Sequence, residues 1–316
     1  IRRIFGLLIL LACCASASGR VIYVDADAPG ANDGTSWQNA YNFLQDAFAE
    51  ARDTTNASDI EIWVAQGVYT PDCNSAVPEG TADRTASFEP PREAINGITL
   101  RGGYAGFGQS DPNLRDVNSF ETILSGDLAG DDGPDFTNYD ENSYHVVLMV
   151  WVTAALDGFT ITTGNANGVG AFVLDGGSYT VEGSHDSGGG VYSSFYCSPK
   201  IRDCIFHKNR AMWGAGMYNN GESANATLEN CLFTNNVAYA GGGGIFTGGL
   251  RNFSDYSNAP CAPELVNCRF EANLAALGGG MYSGESFRSQ PKLEDCSFAG
   301  NSATISGGGI YNNRGS

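Results

Sequence analysis

Four aspartates within nine residues, Asp127, Asp131, Asp132 and Asp135, are the densest group of metal-ligating side chains in the chain. An oxygen-rich loop of this kind can gather Ca²⁺, a hard cation that takes six to eight oxygen ligands. No defined calcium-loop spacing is met, so a solvated acidic loop is the alternative. A pair of acids at a suitable separation would also serve glycosidase chemistry. Asp25, Asp27 and Asp33 form a second, looser acidic group. The histidines His145, His185 and His207 are scattered and read as incidental surface residues, so no catalytic residue is assigned.

Aromatic residues offer a different chemistry. Tyr192, Tyr218, Phe246, Tyr282 and Tyr311 each follow a glycine run and an aliphatic residue. One aromatic per repeat, turned outward, would make a ladder suited to stacking on sugar rings. Alternation along a strand leaves the reverse arrangement open, with the aromatics in the core.

Nine cysteines are present, and Cys13 and Cys14 lie in the apolar N-terminal segment. Cys197 with Cys204, and Cys261 with Cys268, share a spacing of seven and an intervening proline, Pro199 or Pro263. In an oxidising compartment each pair is a candidate local disulfide. The rival is a stack of buried free thiols, since cysteine is a comfortable small core residue. Cys73 stands alone.

The elements that must position these groups come from a repeat. Cys204, Cys231, Cys268 and Cys296 are separated by 27, 37 and 28 residues. Each is followed at fixed offsets by Phe206, Phe233, Phe270 or Phe298, by Asn209, Asn236, Asn273 or Asn301, and by Ala211, Ala238, Ala275 or Ala303. The apolar runs are three to five residues long and bounded by Gly, Asn, Asp and Pro, which reads as short strands and tight turns. Three short strands per unit predict a coil of a parallel β-helix, the coils stacking at the ordinary strand spacing of about 4.8 Å. Asp203, Asn230, Asn267 and Asp295, just before the cysteines, suit left-handed turn positions. The 37-residue interval carries an insertion around residues 248–260.

Upstream, Leu156 to Ile161 and Ile98 to Tyr104 read as degenerate earlier coils. Thr35 and Gln38 match a capping box for a helix in which Trp37, Ala40, Tyr41, Leu44, Ala47, Phe48 and Ala51 recur at helical spacing. Such a helix would cover one end of the solenoid, and Ile60 to Val64 alternates as a first strand. Residues 71–94 and 127–142 read as polar loops. The expected division is a signal peptide over 1–17, an N-terminal cap over 18–70, irregular coils with long loops over 71–155 and regular repeats over 156–316.

The leader rests on Arg2 and Arg3, the apolar run from Ile4 to Ala12, and the small residues Ala15, Ser16 and Ala17. Leu10 to Cys13 also resembles a bacterial lipobox, which would leave Cys13 as a lipid anchor. No later segment is apolar enough for a transmembrane span. The last coil has no capping element, which points to further sequence beyond 316. With 17 Lys+Arg against 35 Asp+Glu, the formal charge is −18, which argues against nucleic acid and anionic membranes as partners.

The paired Phe206-His207-Lys208-Asn209 type tetrapeptides and the following Gly-Gly-x-aliphatic runs resemble the repeats of chlamydial polymorphic outer-membrane proteins over about residues 187–312. The stretch from Val21 through Trp37 to Ala47, with Ile62 to Tyr69, is similar to the start of secreted bacterial β-helix proteins of the pectin-lyase-like superfamily. These resemblances imply an all-β, right-handed parallel β-helix with an N-terminal capping helix, secreted or displayed at the cell surface. For the first family they imply adhesion. A galacturonan hydrolase of the second would carry an Asp-Asp pair with Gly-His-Gly and Arg-x-Lys. Here Asp131-Asp132 is the only such pair and neither companion is present. The expected function is therefore non-catalytic binding by a monomer, adhesin-like, with extracellular polysaccharide or a cell-surface component as partner. No cofactor beyond Ca²⁺ is expected. The alternative is a polysaccharide lyase or glycoside hydrolase with its acids in 127–142 or 248–260, and a third reading is a structural spacer.

Overall fold

The computed structural model describes residues 19–53, 60–91, 97–174, 179–182, 184–194, 197–221, 224–248, 261–284 and 289–313, and of 171–174 and 179–182 the backbone alone. The expected leader with Cys13 and residues 249–260 of the insertion lie outside them.

Each coil is turned by left-handed corners. In one coil the strands Lys200–Arg202, Ile205–His207, Arg210–Trp213 and Met217–Asn220 are separated by Asp203 (φ 51°), Lys208 (φ 51°) and Gly214 (φ 58°). The next coil repeats the plan with Asn230, Asn235 and Gly242 at φ 56°, 56° and 69°. Asn and Asp tolerate this conformation, which places them at the first corner as their types predict. A coil therefore has four strands, not three. The additional strand is the one carrying the repeat alanine, Arg210–Trp213 in this coil, too weakly apolar to stand out in the sequence.

Among the described residues, stacked coils make four parallel sheets. The first has eight strands, from Val21–Val24 to Lys292–Glu294, and the second has seven, from Gly67–Tyr69 to Ser297–Ala299. A third, of five strands, runs from Asn165–Ala166 to Ser302–Ser306, and a fourth, of six, from Val147–Val150 to Ile310–Asn312. Among the described strands one pair is antiparallel, the hairpin of Ala171–Leu174 with Tyr179–Glu182.

Register puts like on like. One inward row of the first sheet reads Ile22, Ile62, Leu100, Leu156, Ile201, Leu228, Leu265 and Leu293. In the second sheet Phe206, Phe233, Phe270 and Phe298 stack face to face at 4.2, 4.8 and 4.6 Å between centroids. Tyr69, Leu124 and Ile161 extend that row toward the N-terminus. Burying a side chain of this size contributes roughly 1.5–3 kcal/mol.

Beside the phenylalanines runs a buried amide ladder. Asn209, Asn236 and Asn273 each donate through Nδ2 to Oδ1 of the next asparagine, at 3.0, 2.9 and 2.9 Å. The second Nδ2 proton goes to a backbone oxygen of the preceding coil, that of Ile161, Phe206 or Phe233. The receiving Oδ1 also accepts the donor residue's own backbone N–H. Both amide protons and the oxygen are satisfied, so the ladder avoids the roughly 1–3 kcal/mol penalty for each orphaned group.

At the N-terminus the helix spans Leu44–Asp53 and packs Leu44, Ala47, Phe48 and Ala51 into the same core as Ile22, Val24 and Ile62. It starts later than the sequence suggests. Thr35 Oγ1 donates instead to Asp33 Oδ1, and residues 36–43 form turns held by Asn42 Nδ2, which donates to the carbonyls of Asp25, Ala26 and Ala28. A local side-chain bond thus outcompeted the capping box.

Candidate functional site

The strand Thr122–Ser125 delivers the chain into the acidic loop. Asp127 folds the loop back on itself: its Oδ1 accepts the N–H groups of Gly130 (2.7 Å) and Asp131 (3.2 Å), and Oδ2 that of Asp132 (3.2 Å). Two single turns, Pro134–Phe136 and Tyr139–Glu141, then return the chain to its start. The loop is fastened to neighbouring coils by Tyr139 Oη donating to Lys208 O (3.2 Å) and by Asn165 Nδ2 donating to Tyr139 O (2.6 Å).

This path gathers one oxygen each from Asp127, Asp131, Asp132 and Glu141 within 4.8 Å of one another, the single such group of His, Cys, Asp and Glu found among the described residues. Asp135 is not among them. It is exposed at φ 54° on the outer turn, so the expected set loses Asp135 and gains Glu141. Asn142, fully buried, donates through Nδ2 to Asp132 Oδ2 (2.8 Å) and Thr163 O (2.6 Å). Asp132 Oδ1, both carboxylate oxygens of Glu141 and Asn142 Oδ1 are shielded from solvent with no well-formed hydrogen bond. Burial pushes the Asp132 carboxyl up to about 7; the Asn142 amide opposes this, while the Asp127, Glu141 and Asp131 carboxylates add to it. Burial raises Glu141 as well.

The looser group does not converge. Asp25 is buried, with Oδ2 accepting Phe107 N–H (2.6 Å) and Oδ1 accepting Asp27 N–H (3.0 Å), whereas Asp33 is tied to Thr35.

The aromatic ladder exists but is not open. Tyr192, Tyr218, Phe246, Tyr282 and Tyr311 stack at 5.3, 4.9, 5.1 and 5.4 Å, on the side of their sheet away from the main core. The aliphatic neighbours Val191, Met217, Ile245 and Met281 fill that core. Yet Tyr192, Phe246 and Tyr282 are only 3%, 6% and 1% exposed, and Tyr218 and Tyr311 are half-buried. Trp213 covers Phe246 and Tyr282 edge-on at 5.6 Å, and His145 meets Tyr192 at 5.4 Å. The stack is a second core, and the expectation of an exposed sugar platform is corrected.

Among the described residues the seven cysteines are free thiols, which corrects the two local disulfides. Cys197 and Cys204 flank the extended strand Lys200–Arg202, and Cys261 and Cys268 flank Glu264–Val266. A strand advances about 3.3 Å per residue, so each pair is held beyond the roughly 5.5–6 Å between Cα atoms that a disulfide needs. Cys204, Cys231, Cys268 and Cys296 instead lie one above another, each Sγ against the carbonyl two residues earlier at 3.1–3.4 Å. Burial pushes the Cys204 thiol up to about 12 and Cys261 up to about 11, which makes them poor nucleophiles. Among the histidines, His145 is wholly buried with Nδ1 at 2.9 Å from Gly188 O, and burial drives it down to about 3. His185 is also buried and stacks on Tyr144 at 4.6 Å, and His207 is half-buried, so neither is the incidental surface residue expected.

A groove of about 230 Å³ follows the corner between the first and second sheets, lined in part by Glu121, Thr160, Asp203, Asn230 and Arg269. Asn230 Nδ2 donates to Asp203 Oδ1 (3.0 Å) and Asn267 Nδ2 to Asn230 Oδ1 (2.8 Å), so polar groups run along it at coil spacing. Its floor was visible in the sequence as the repeated Asn/Asp position. Its wall, Val117 to Thr122, comes from an upstream segment that no periodicity marked. On the adjoining outer face of the first sheet, Arg101 pairs with Glu61 (3.2 Å) and Asp157 (3.0 Å), and Arg202 with Glu229 (2.9 Å). Those cations already have partners.

No curated protein and no solved structure matches the chain. A family model described as right handed beta helix region matches residues 151–316. That span covers the regular coils, and its left-handed corners and stacked parallel ladders agree with the match: the chain belongs to the family of proteins with a right-handed β-helix region.

Proposed function

We propose that this β-helix is a secreted or surface-displayed, non-catalytic binding protein, adhesin-like in role, that contacts an extended polysaccharide along the corner groove. The observation that carries this reading is the groove itself, in which Asp203 and Asn230 repeat at coil spacing beside Thr160, Glu121 and Arg269. A row of like hydrogen-bonding groups one strand spacing apart complements a ligand that is itself a repeating chain of hydroxyls. Export is supported by the basic, apolar and small-residue pattern of residues 1–17 and by the resemblance to pectin-lyase-like and polymorphic outer-membrane proteins.

One observation favours the lyase or hydrolase alternative: Asp132 is held near 7 beside Asp127, as an acid–base pair requires. Against it, Asp132 Oδ1 is shut away from solvent. The two readings separate in a screen of the purified protein on acidic and neutral polysaccharides that follows retention, unsaturated products and reducing ends. Retention without cleavage, weakened by Arg269→Ala, is expected. Product formation lost on Asp132→Ala would make the protein an enzyme, and retention indifferent to Arg269→Ala would remove the groove from the reading.

A further inference from the structure

We propose that the 127–142 loop is a divalent-cation site of the calcium class, built by the carboxylates of Asp127, Asp131, Asp132 and Glu141.

Two independent features carry the inference. The first is convergence: four acids separated by up to fourteen residues bring ligand oxygens within 4.8 Å of one another. Like charges so placed repel strongly unless a cation stands among them. The second is Asn142. Its side chain is fully buried and turned into the cluster by the bond to Asp132 Oδ2, yet its Oδ1 has no partner. A buried carboxamide oxygen without a donor costs about 1–3 kcal/mol, and native structures seldom leave one so. Asp132 Oδ1 is in the same condition. An excess of shielded acceptors over donors is what a cation resolves.

The donor set names the class. All the ligands are oxygens, which suits Ca²⁺ or Mg²⁺ and not the softer metals that prefer imidazole or thiolate. Several flexible carboxylates with a neutral carbonyl nearby match the adaptable six-to-eight coordination of Ca²⁺ better than the strict octahedron of Mg²⁺. The site lies where the loop is fastened to Thr163, Lys208 and Asn165, so a bound cation would fix an upstream loop to the regular coils. The inference does not depend on glycan binding, and its test uses no glycan.

Calorimetric titration of chelator-treated protein with CaCl₂, and separately with MgCl₂, is the direct measurement. One equivalent of Ca²⁺ is expected to bind, with Kd on the order of 10⁻⁴ M or tighter, ahead of Mg²⁺, and to raise the melting temperature. Asp132→Asn and Glu141→Gln should each weaken binding by at least about tenfold. Both variants should melt no lower than the wild type in chelator, because each removes a repelling charge, and this shows that they fold. Asp135→Asn should bind as the wild type does. Absence of calcium binding at 10 mM, or binding that survives both substitutions, would overturn the proposal, as would equal loss on Asp135→Asn.

Discussion

The regular coils and the segment before them solve the same packing problem by opposite means. From residue 187 on, inward side chains rest on copies of themselves: phenylalanine on phenylalanine, asparagine on asparagine, thiol over thiol. Before residue 151 the fastenings occur once each. Arg84 donates to Asn142 O (2.6 Å), Asn165 O (3.0 Å) and Asn167 Oδ1 (2.7 Å) and lies over the Tyr144 ring. Gln45 reaches Pro71 O and Ser87 O, Asp72 Oδ2 accepts the N–H groups of Thr81 and Ala82, and Trp37 Nε1 donates to Asn113 Oδ1. A ladder distributes an interaction over many coils, whereas a clasp concentrates it in one side chain. Damage should therefore spread in the first region and stay local in the second.

The largest effect should come from Phe233→Ala. It empties a place in the stack between Phe206 and Phe270, where all three rings are 0% exposed, and should cost about 3–5 kcal/mol, read as a lowered denaturant midpoint. Hydrogen exchange should quicken in the coils on both sides; a change confined to residues 227–248 would contradict distributed packing. Arg84→Ala should cost less, about 1.5–3 kcal/mol, and should expose mainly residues 71–91 and the acidic loop while the repeats keep their protection.

A smaller, graded effect should come from pH, through His145 at the seam of the two regions. Its folded value of about 3 lies below the ordinary 6.5, so the unfolded chain binds the extra proton. Its contribution is complete above about 6.5 and declines as pH falls toward 3, by at most about 1.4 kcal/mol per unit. His145→Phe should flatten that part of the stability profile, and an unchanged slope would show that other groups set it.

The same contrast explains what could be read in advance. Four units agreeing at Cys, Phe, Asn and Ala made the coil legible, because stacking forces like residues to recur. The corner conformations followed from residue type at Asp203 and Asn230. The irregular region offered no such redundancy. Proximity in sequence suggested Asp135, but Glu141 and Asn142 reach the cluster only because two turns double the loop back. Alternation left open which way the Tyr192 row faces, and the structure turns it away from the main core. What covers it, Trp213 from another sheet and His145 from another coil, leaves no trace in the local pattern. The thiol pairs misled because a shared spacing of seven is the repeat itself seen through cysteine.

The glycine row carries a last consequence, for how such a protein can change. A Cβ on Gly216 would come within 2.9 Å of the Phe233 ring and 2.5 Å of Gly244 O; Gly244 stands likewise to Phe270 and Gly280 O, and Gly280 to Phe298 and Gly309 O. The bare backbone of one coil is thus shaped to the ring of the next. Neither position can drift alone, and extra residues are taken up between strands, as in the 37-residue interval from Cys231 to Cys268, with Phe233 still on Phe270 and Ile245 still on Met281. Descent with modification in this region should proceed by gain or loss of entire coils or by insertion between strands, so that relatives would differ in coil number and loop length sooner than in the composition of any one rung.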